Sequence, residues 1–160
     1  MVTFYSSQAE ARADAGQQGL REKVVCIVLD GPHVLVFEHE DVPEAGVQLP
    51  AGGVEPGETL AGAAVRELQE ESGLSLGEPR HIVSYRWEAQ LPERFTQQVC
   101  HAFTFTAPPY LPATSTLQAD GHPFAFRWAS LEQPGLDWEM DAALPYLTMP
   151  PQAPQETAHD

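Results

Sequence analysis

Four carboxylates and one guanidinium stand within fourteen positions of each other in mid-chain: Glu58, Arg66, Glu67, Glu70 and Glu71. Glu67, Glu70 and Glu71 follow the i, i+3, i+4 spacing, so on a helix they share one side, within about 100° of arc. Like charges placed so repel by a few tenths of a kcal/mol per exposed pair. Arg66, four residues before Glu70, offsets only part of that repulsion. A cluster of oxygen donors suits a hard cation such as Mg²⁺ or Mn²⁺. The plainer reading is a solvated acidic helix face. The residues just before the cluster shift the balance: 51–58, Ala-Gly-Gly-Val-Glu-Pro-Gly-Glu, carry three glycines and a proline. Such a segment is rich in turns, and its backbone can approach a ligand closely.

The cluster needs a helix to hold it. Thr59 has the chemistry of an N-cap, and Leu60 to Ser72 run on without proline. Gly73 supplies the left-handed stop, with Leu74 able to fold back on Leu68. The spacing predicts about three and a half turns. Ala61, Val65 and Leu68 gather on the side expected to face a core. Ala63 and Ala64, one turn before the carboxylates, are small enough to leave space beside them.

Gly52 to Leu74, GGVEPGETLAGAAVRELQEESGL, resembles the Nudix hydrolase signature GX5EX7REUXEEXGU, where U is aliphatic, and matches it at every specified position. The resemblance implies an α/β fold, the Nudix-type α/β/α sandwich with a central mixed sheet. It implies hydrolysis of a diphosphate bond in a nucleoside diphosphate linked to another moiety, with Mg²⁺ or Mn²⁺ as cofactor. Glu67, Glu70 and Glu71 would be metal ligands or, for one of them, the base that activates water. The Gly52 carbonyl would complete the metal shell, Arg66 would orient the carboxylates, and Glu58 would brace the loop or join the shell. Some family members place the base in a later loop, where this chain has Glu93 or Asp120. Leu49-Pro50-Ala51-Gly52 is similar to the sequence in members acting on ADP-ribose and nucleotide sugars. The alternatives are a house-cleaning nucleoside triphosphate pyrophosphatase and a non-catalytic nucleotide-sensing domain.

Substrate contacts lie outside the signature. Arg86, Arg94 and Arg127 are candidates for phosphate, against the reading of solvent-facing strand arginines. Tyr85, Trp87, Phe95 and Trp128 could stack on a base, although aromatics in strands more often fill cores. Lys23 reads as a charge remote from the cluster.

Composition bounds the rest. With 160 residues, 42% of them hydrophobic, the chain suffices for one domain. Acidic residues outnumber basic ones 23 to 8, a formal charge of −15. That argues against nucleic acid and anionic membrane as partners, and makes a polyphosphate substrate depend on metal. Cys26 and Cys100 form no CxxC pair and read as buried reduced thiols. No apolar stretch reaches membrane-spanning length and no leader is recognisable, so the expectation is a soluble, cytoplasmic monomer or homodimer. Residues 1–149 are expected to form a single domain with a partly mobile lead over 1–22, and 150–160 a disordered tail.

In chain order, Val2–Tyr5 is expected as a short strand and Ser6–Gly19 as a mobile connection. Lys23–Leu29 is a strand buried on both faces, turning through Asp30–His33 into Val34–Glu38. Val47–Pro50 is a short strand leading into the glycine-rich loop. Two β runs follow the helix, Arg80–Ala89 and Thr96–Thr106, with His101 a satisfied interior residue of the second. Pro108–Gly121 reads as loop, Pro123–Ala129 as strand, and Leu131–Leu147 as a helix interrupted near Pro134.

Overall fold

The computed structural model describes residues 1–109, 114–119 and 122–148. Its centre is one mixed sheet. The strands are β1 (Val2–Phe4), β2 (Arg21–Asp30), β3 (His33–His39), β4 (Ala51–Gly53), β5 (Arg80–Gln90), β6 (Phe95–Thr106), β7 (Thr114–Ala119) and β8 (His122–Ser130). They lie in the order β1-β5-β6-β2-β3-β8-β7, with β4 paired to β2 off this path. β2 and β6 are parallel; the other pairs are antiparallel. This is the expected α/β class with a central mixed sheet.

One local departure from regular pairing builds the site. After the turn at Gly31, β2 and β3 pair only at Leu29–Val34 and Asp30–His33, then diverge. Residues 48–53 occupy the gap. Gln48 exchanges both backbone hydrogen bonds with Phe37 of β3, and β4 pairs with Lys23–Val25 of β2. The strand expected over Val47–Pro50 therefore begins later, at Ala51, and the first two glycines of the signature are sheet residues.

Helix α2 (Leu60–Ser72) covers one face of the sheet. The Thr59 side chain accepts from the Gly62 amide, and Gly73 ends the helix at φ 77°. Its buried face is Leu60, Ala63, Ala64, Leu68 and Ser72, set against Val24, Cys26, Val28, Phe103 and Phe105. Ala61 is exposed and Val65 only half-buried, so the core stripe lies one residue away from the expected one. Ala63 and Ala64 leave no space beside the carboxylates. Their small size lets the helix sit close on β2, where the Cys26 thiol lies 3.5 Å from the Ala64 carbonyl.

The segment expected to be a mobile connection is a helix, α1 (Gln8–Gln18), closed by Gly19 in the left-handed conformation. The Ser7 hydroxyl accepts from the Glu10 amide while the Glu10 carboxylate accepts from the Ser6 amide, a capping arrangement across the first turn. Large apolar residues are not needed, because Ala11 and Ala15 meet Val99 directly on the same sheet face as α2. On the opposite face, Leu131–Leu147 is not a helix. Gly135, Trp138 and Glu139 have positive φ, and only Leu144–Thr148 coils into a 3₁₀ helix. Met140, Ala143 and this 3₁₀ turn cover Val25, Ile27, Val36 and Ala102. Within the expected loop at Pro108–Gly121, Thr114–Ala119 is a strand; the expected tail lies outside the described residues.

From α1 a polar chain runs inward, from the exposed Arg12 to the buried His101 and Ser84. Arg12 grips Glu22 through two contacts of 3.1 Å, and Glu22 meets His101 Nε2 at 2.9 Å. His101 Nδ1 lies 2.7 Å from the Ser84 hydroxyl, which meets His81 Nε2 at 2.8 Å. A carboxylate only accepts, so His101 donates from Nε2 and accepts from Ser84 at Nδ1. The backbone carbonyl of the same Glu22 takes the Val54 amide, so this chain also fixes the strand that positions β4.

His101 is buried and satisfied, as its place in the strand suggested. Burial holds its pKa below 6.5, outweighing the Glu22 carboxylate that favours the charged ring. Burial also pushes Glu22 upward, but hydrogen bonds from Arg12 and His101 outweigh it and hold the carboxyl below 4.5. Between the folded and unfolded values the unfolded chain binds more protons, so each group makes stability fall as pH drops, His101 from about 6.5 and Glu22 from about 4.5. The thermal midpoint should fall between pH 7.5 and 5.5, and His101→Gln should flatten that fall. An equal fall in the variant would contradict the assignment.

Candidate active site

Arg66 is the hub. Its guanidinium donates from Nε and Nη2 to the two Glu58 oxygens at 2.7 and 2.9 Å, and Nη2 also reaches the Gly53 carbonyl at 2.9 Å. Nη1 donates to Glu67 at 2.9 Å and to Glu70 at 3.2 Å. The planar fork suits this work, since one group meets a carboxylate side-on and still has donors for two more. Glu58 in turn accepts from the Glu55 amide, which fastens the turn at Pro56-Gly57. The Arg66 hydrogen bonds draw the Glu58 carboxyl down to about 2, and Glu58 chiefly holds the guanidinium charged.

The three helix carboxylates line a polar pocket of about 280 Å³, together with Ala51, Gly52 and Gly53 of β4 and with Arg21 and Lys23 of β2. Glu71 accepts from the Ala51 amide at 3.0 Å. The glycines are required by close approach. A Cβ on Gly52 would fall inside the Glu67 carboxylate, and one on Gly53 would meet the Arg21 guanidinium at 2.8 Å. Helix and strand thus bring together every signature residue that the sequence marked: Gly52, Glu58, Arg66, Glu67, Glu70 and Glu71.

The donor set fits a hard divalent cation: carboxylate oxygens and strand backbone line the pocket, while the Cys26 thiol is buried under the helix and does not line it. Among the described residues, no three acidic, imidazole or thiol groups converge on one point as ligands would. Glu67 and Glu70 accept from Arg66, and Glu71 accepts from the Ala51 amide.

The basic residues at the pocket are not those anticipated. Arg86 lies on the α1 face of the sheet, paired with Asp14 at 3.4 Å and Glu88 at 3.5 Å. Arg127 pairs with Glu38 on β3 at 3.2 Å. Neither lines the carboxylate pocket. Arg21 and Lys23 do, and Lys23 is a site residue rather than a remote charge. The strand pairing explains this, because Lys23 stands directly opposite Gly53. Nothing in the linear spacing revealed it.

Lys23 also borders a second cavity, of about 270 Å³, on the sheet face opposite α2. Tyr85, Trp87, Gln98 and Cys100 form its floor, with Leu91, Arg94, Trp138 and Met140 around it. Of the aromatics considered from sequence, Tyr85 and Trp87 are here. Trp128 packs on the α2 side, and Phe95 is exposed in the β5–β6 hairpin. Glu93 is exposed in the same hairpin, and Asp120 lies outside the described residues. Trp138, which the sequence placed in a helix, is held by its indole on the Ala45 carbonyl at 2.7 Å. The Asp137 carboxylate beside it takes the Val47 amide at 2.9 Å.

Comparison with known proteins agrees with this geometry. A family model described as NUDIX domain matches residues 19–148. Nudix hydrolase 26, chloroplastic, of Arabidopsis thaliana is 29% identical over 98 residues, 58% of this chain and 45% of that protein; the chain thus spans under half the length of this curated relative. A crystal structure of MutT NUDIX hydrolase from Burkholderia pseudomallei aligns with TM-score 0.63 at 21% identity, covering 80% of this chain and 98% of that one. The E. coli dihydroneopterin triphosphate pyrophosphohydrolase aligns with TM-score 0.60 at 20% identity, covering 77% and 91%.

Removing the hub should unfold the loop before it unfolds the sheet. Arg66→Met leaves the half-buried Glu58 and Glu67 and the exposed Glu70 facing one another, and is expected to cost about 2 kcal/mol, between exposed and buried ion pairs. For a chain of this size that lowers the thermal midpoint by about 4–8 °C. Arg127→Met, which breaks the exposed pair with Glu38, should lower it by no more than about 2 °C. Equal shifts in the two variants would deny Arg66 its organising role.

Proposed function

The chain belongs to the Nudix family, and from that premise we propose that the carboxylate pocket hydrolyses a phosphoanhydride bond of a nucleotide-type substrate with the help of a divalent metal ion. One observation carries the reading: a single guanidinium holds the glycine-rich turn against a helix whose Glu67 carboxylate leaves no room for a side chain at Gly52, with Glu70 and Glu71 lining the same pocket. Members of the family generally use divalent metal ions. In this reading Glu67, Glu70 and Glu71 hold the ion with the Gly52 carbonyl, Arg66 sets the carboxylates' positions, and Glu58 braces the turn. Mg²⁺ or Mn²⁺ would neutralise the bridging oxygens and lower the pKa of a bound water. Arg21 and Lys23 add positive charge where the phosphates would lie, and the second cavity takes the organic part. The −15 charge of the chain would otherwise repel a polyphosphate.

The finer substrate in our reading is a nucleoside diphosphate linked to another moiety, of the ADP-ribose or nucleotide-sugar kind. Support for it is the Leu49-Pro50-Ala51-Gly52 sequence entering the pocket. We take residues 1–149 as one domain, since β1 and α1, which precede the family match, pack on the same sheet.

A hydrolysis screen over ADP-ribose, nucleotide sugars, dinucleoside polyphosphates and nucleoside triphosphates, with Mg²⁺ or Mn²⁺ and the nucleotide products resolved by chromatography, tests the activity and separates these substrate classes by their products. Turnover should vanish in excess chelator and return with added metal; full activity in chelator would end the proposal. Glu71→Gln keeps an oxygen for the Ala51 amide, so its thermal midpoint should hold. Its rate should nevertheless fall at least about a hundredfold, as for loss of a key electrostatic or acid–base group. A near wild-type rate would return the helix to a merely solvated acidic face.

A further inference from the structure

Positive charge is scarce on this chain, with 8 basic residues against 23 acidic ones, so the places where it stays unneutralised carry information. Arg12 is paired with Glu22, Arg66 with Glu58, Arg86 with Asp14 and Arg127 with Glu38. Among the described residues Arg21, Lys23, Arg80 and Arg94 form no ion pair, and all of these except Arg80 line the two pockets. Arg21 and Lys23 stand beside the carboxylates, where the phosphates of the substrate would meet them. Arg94 has no such counterpart. Its backbone is fixed, because the β5–β6 hairpin stays paired out to Gln90–Phe95 and the Leu91 amide donates to the Arg94 carbonyl at 2.7 Å. The adjacent Glu93 is exposed and makes no ion pair with it. Lys23 stands opposite Cys100 of β6, and from Cys100 back to Arg94 the strand runs about 20 Å, at roughly 3.3 Å per residue. The two cations therefore mark opposite ends of one cavity, Lys23 at the carboxylates and Arg94 at the hairpin.

Resting on the nucleotide chemistry read above, we propose that the substrate carries a further anionic group, a phosphate or a carboxylate, on the moiety beyond its diphosphate, and that Arg94 recognises it. With the diphosphate at the carboxylate pocket and Lys23, that moiety runs along β6 toward the hairpin. A guanidinium at the far end of the cavity attracts the one class of group that a surface of net charge −15 otherwise repels. Its planar fork pairs with either anion through two parallel hydrogen bonds and stays charged throughout the working pH range. Thr96, on the same cavity wall, adds a hydroxyl beside it. Arg94 is exposed, so leaving it in water before the substrate arrives costs little. A neutral sugar leaves it unmet. Substrates of the ADP-ribose and nucleotide-sugar kind are thus separated by charge rather than by size.

The test compares two pairs that differ in that group alone: a uridine diphosphate hexose against the corresponding hexuronate, and ADP-ribose against ADP-ribose phosphorylated on its terminal ribose. For each compound kcat and KM are measured with Mg²⁺. Binding is measured by calorimetry with the methylene-bridged analogues, which resist hydrolysis. In at least one pair the anionic member should be favoured at least about tenfold, the worth of a charge-assisted hydrogen bond, and the difference should lie in KM and Kd rather than in kcat. Preference in the first pair alone assigns a carboxylate, and in the second alone a phosphate. Arg94→Gln should bring the favoured pair within about twofold, and Arg94→Lys should keep part of the preference. Arg80→Gln, which removes a positive charge away from both pockets, should keep all of it. Failure of all four analogues to bind, equal or weaker use of the anionic member in both pairs, or a preference that survives Arg94→Gln would overturn the proposal. So would a preference lost equally in Arg80→Gln. An Arg94-dependent preference in binding, with none of the four compounds hydrolysed, would instead overturn the hydrolase reading and leave the anion site standing.

Discussion

One cation governs how this chain arranges its negative charge. Arg66 binds Glu58 side-on, then Glu67 and Glu70, and also the Gly53 carbonyl. Without it the turn before α2 would be a flexible glycine-rich stretch facing a repulsive helix. With it, turn, helix and strand become one corner, and the carboxylates gather at a common pocket. Their mutual repulsion is retained as an electrostatic demand for a further cation. In the proposed function, that demand would couple the fold to metal chemistry.

The corner works because the sheet leaves a place for it. β2 and β3 separate two residues after their turn, and residues 48–53 enter the gap as a third partner. β4 is held from the other side through Glu22, whose backbone takes Val54 and whose side chain is clamped by Arg12 and His101. Helix α1 therefore contributes to the site at a distance. On the far face, the ties of Asp137 and Trp138 to residues 45–47 connect the cavity wall to the strand entering the pocket.

How much of this the sequence revealed follows the range of the interactions. α2 was legible to the residue, because its cap, stop and charge spacing are all local signals. The set Gly52, Glu58, Arg66, Glu67, Glu70 and Glu71 was legible for the same reason, reinforced by the family signature. α1 was missed because it docks through Ala11 and Ala15 rather than through large apolar residues; Ser7 and Glu10, three apart, were the available clue. The helix expected at Leu131–Leu147 fails where Gly135, Trp138 and Glu139 take positive φ to reach partners near residue 46, which no local pattern encodes. Arg21 and Lys23 enter the pocket through strand register alone. Arg86 and Arg127 looked equivalent to them in sequence, and register sends them to Asp14 and Glu38.

The central claim is that the corner organised by Arg66 holds a divalent metal, and anomalous scattering from crystals grown with Mn²⁺ addresses it most directly. The peak should lie in the pocket between β4 and α2, within coordination distance of Glu67, Glu70 or Glu71 and the Gly52 carbonyl, with Arg66 still on Glu58. Manganese found only at other acidic patches of this highly charged surface, with the pocket empty at saturating metal, would contradict it.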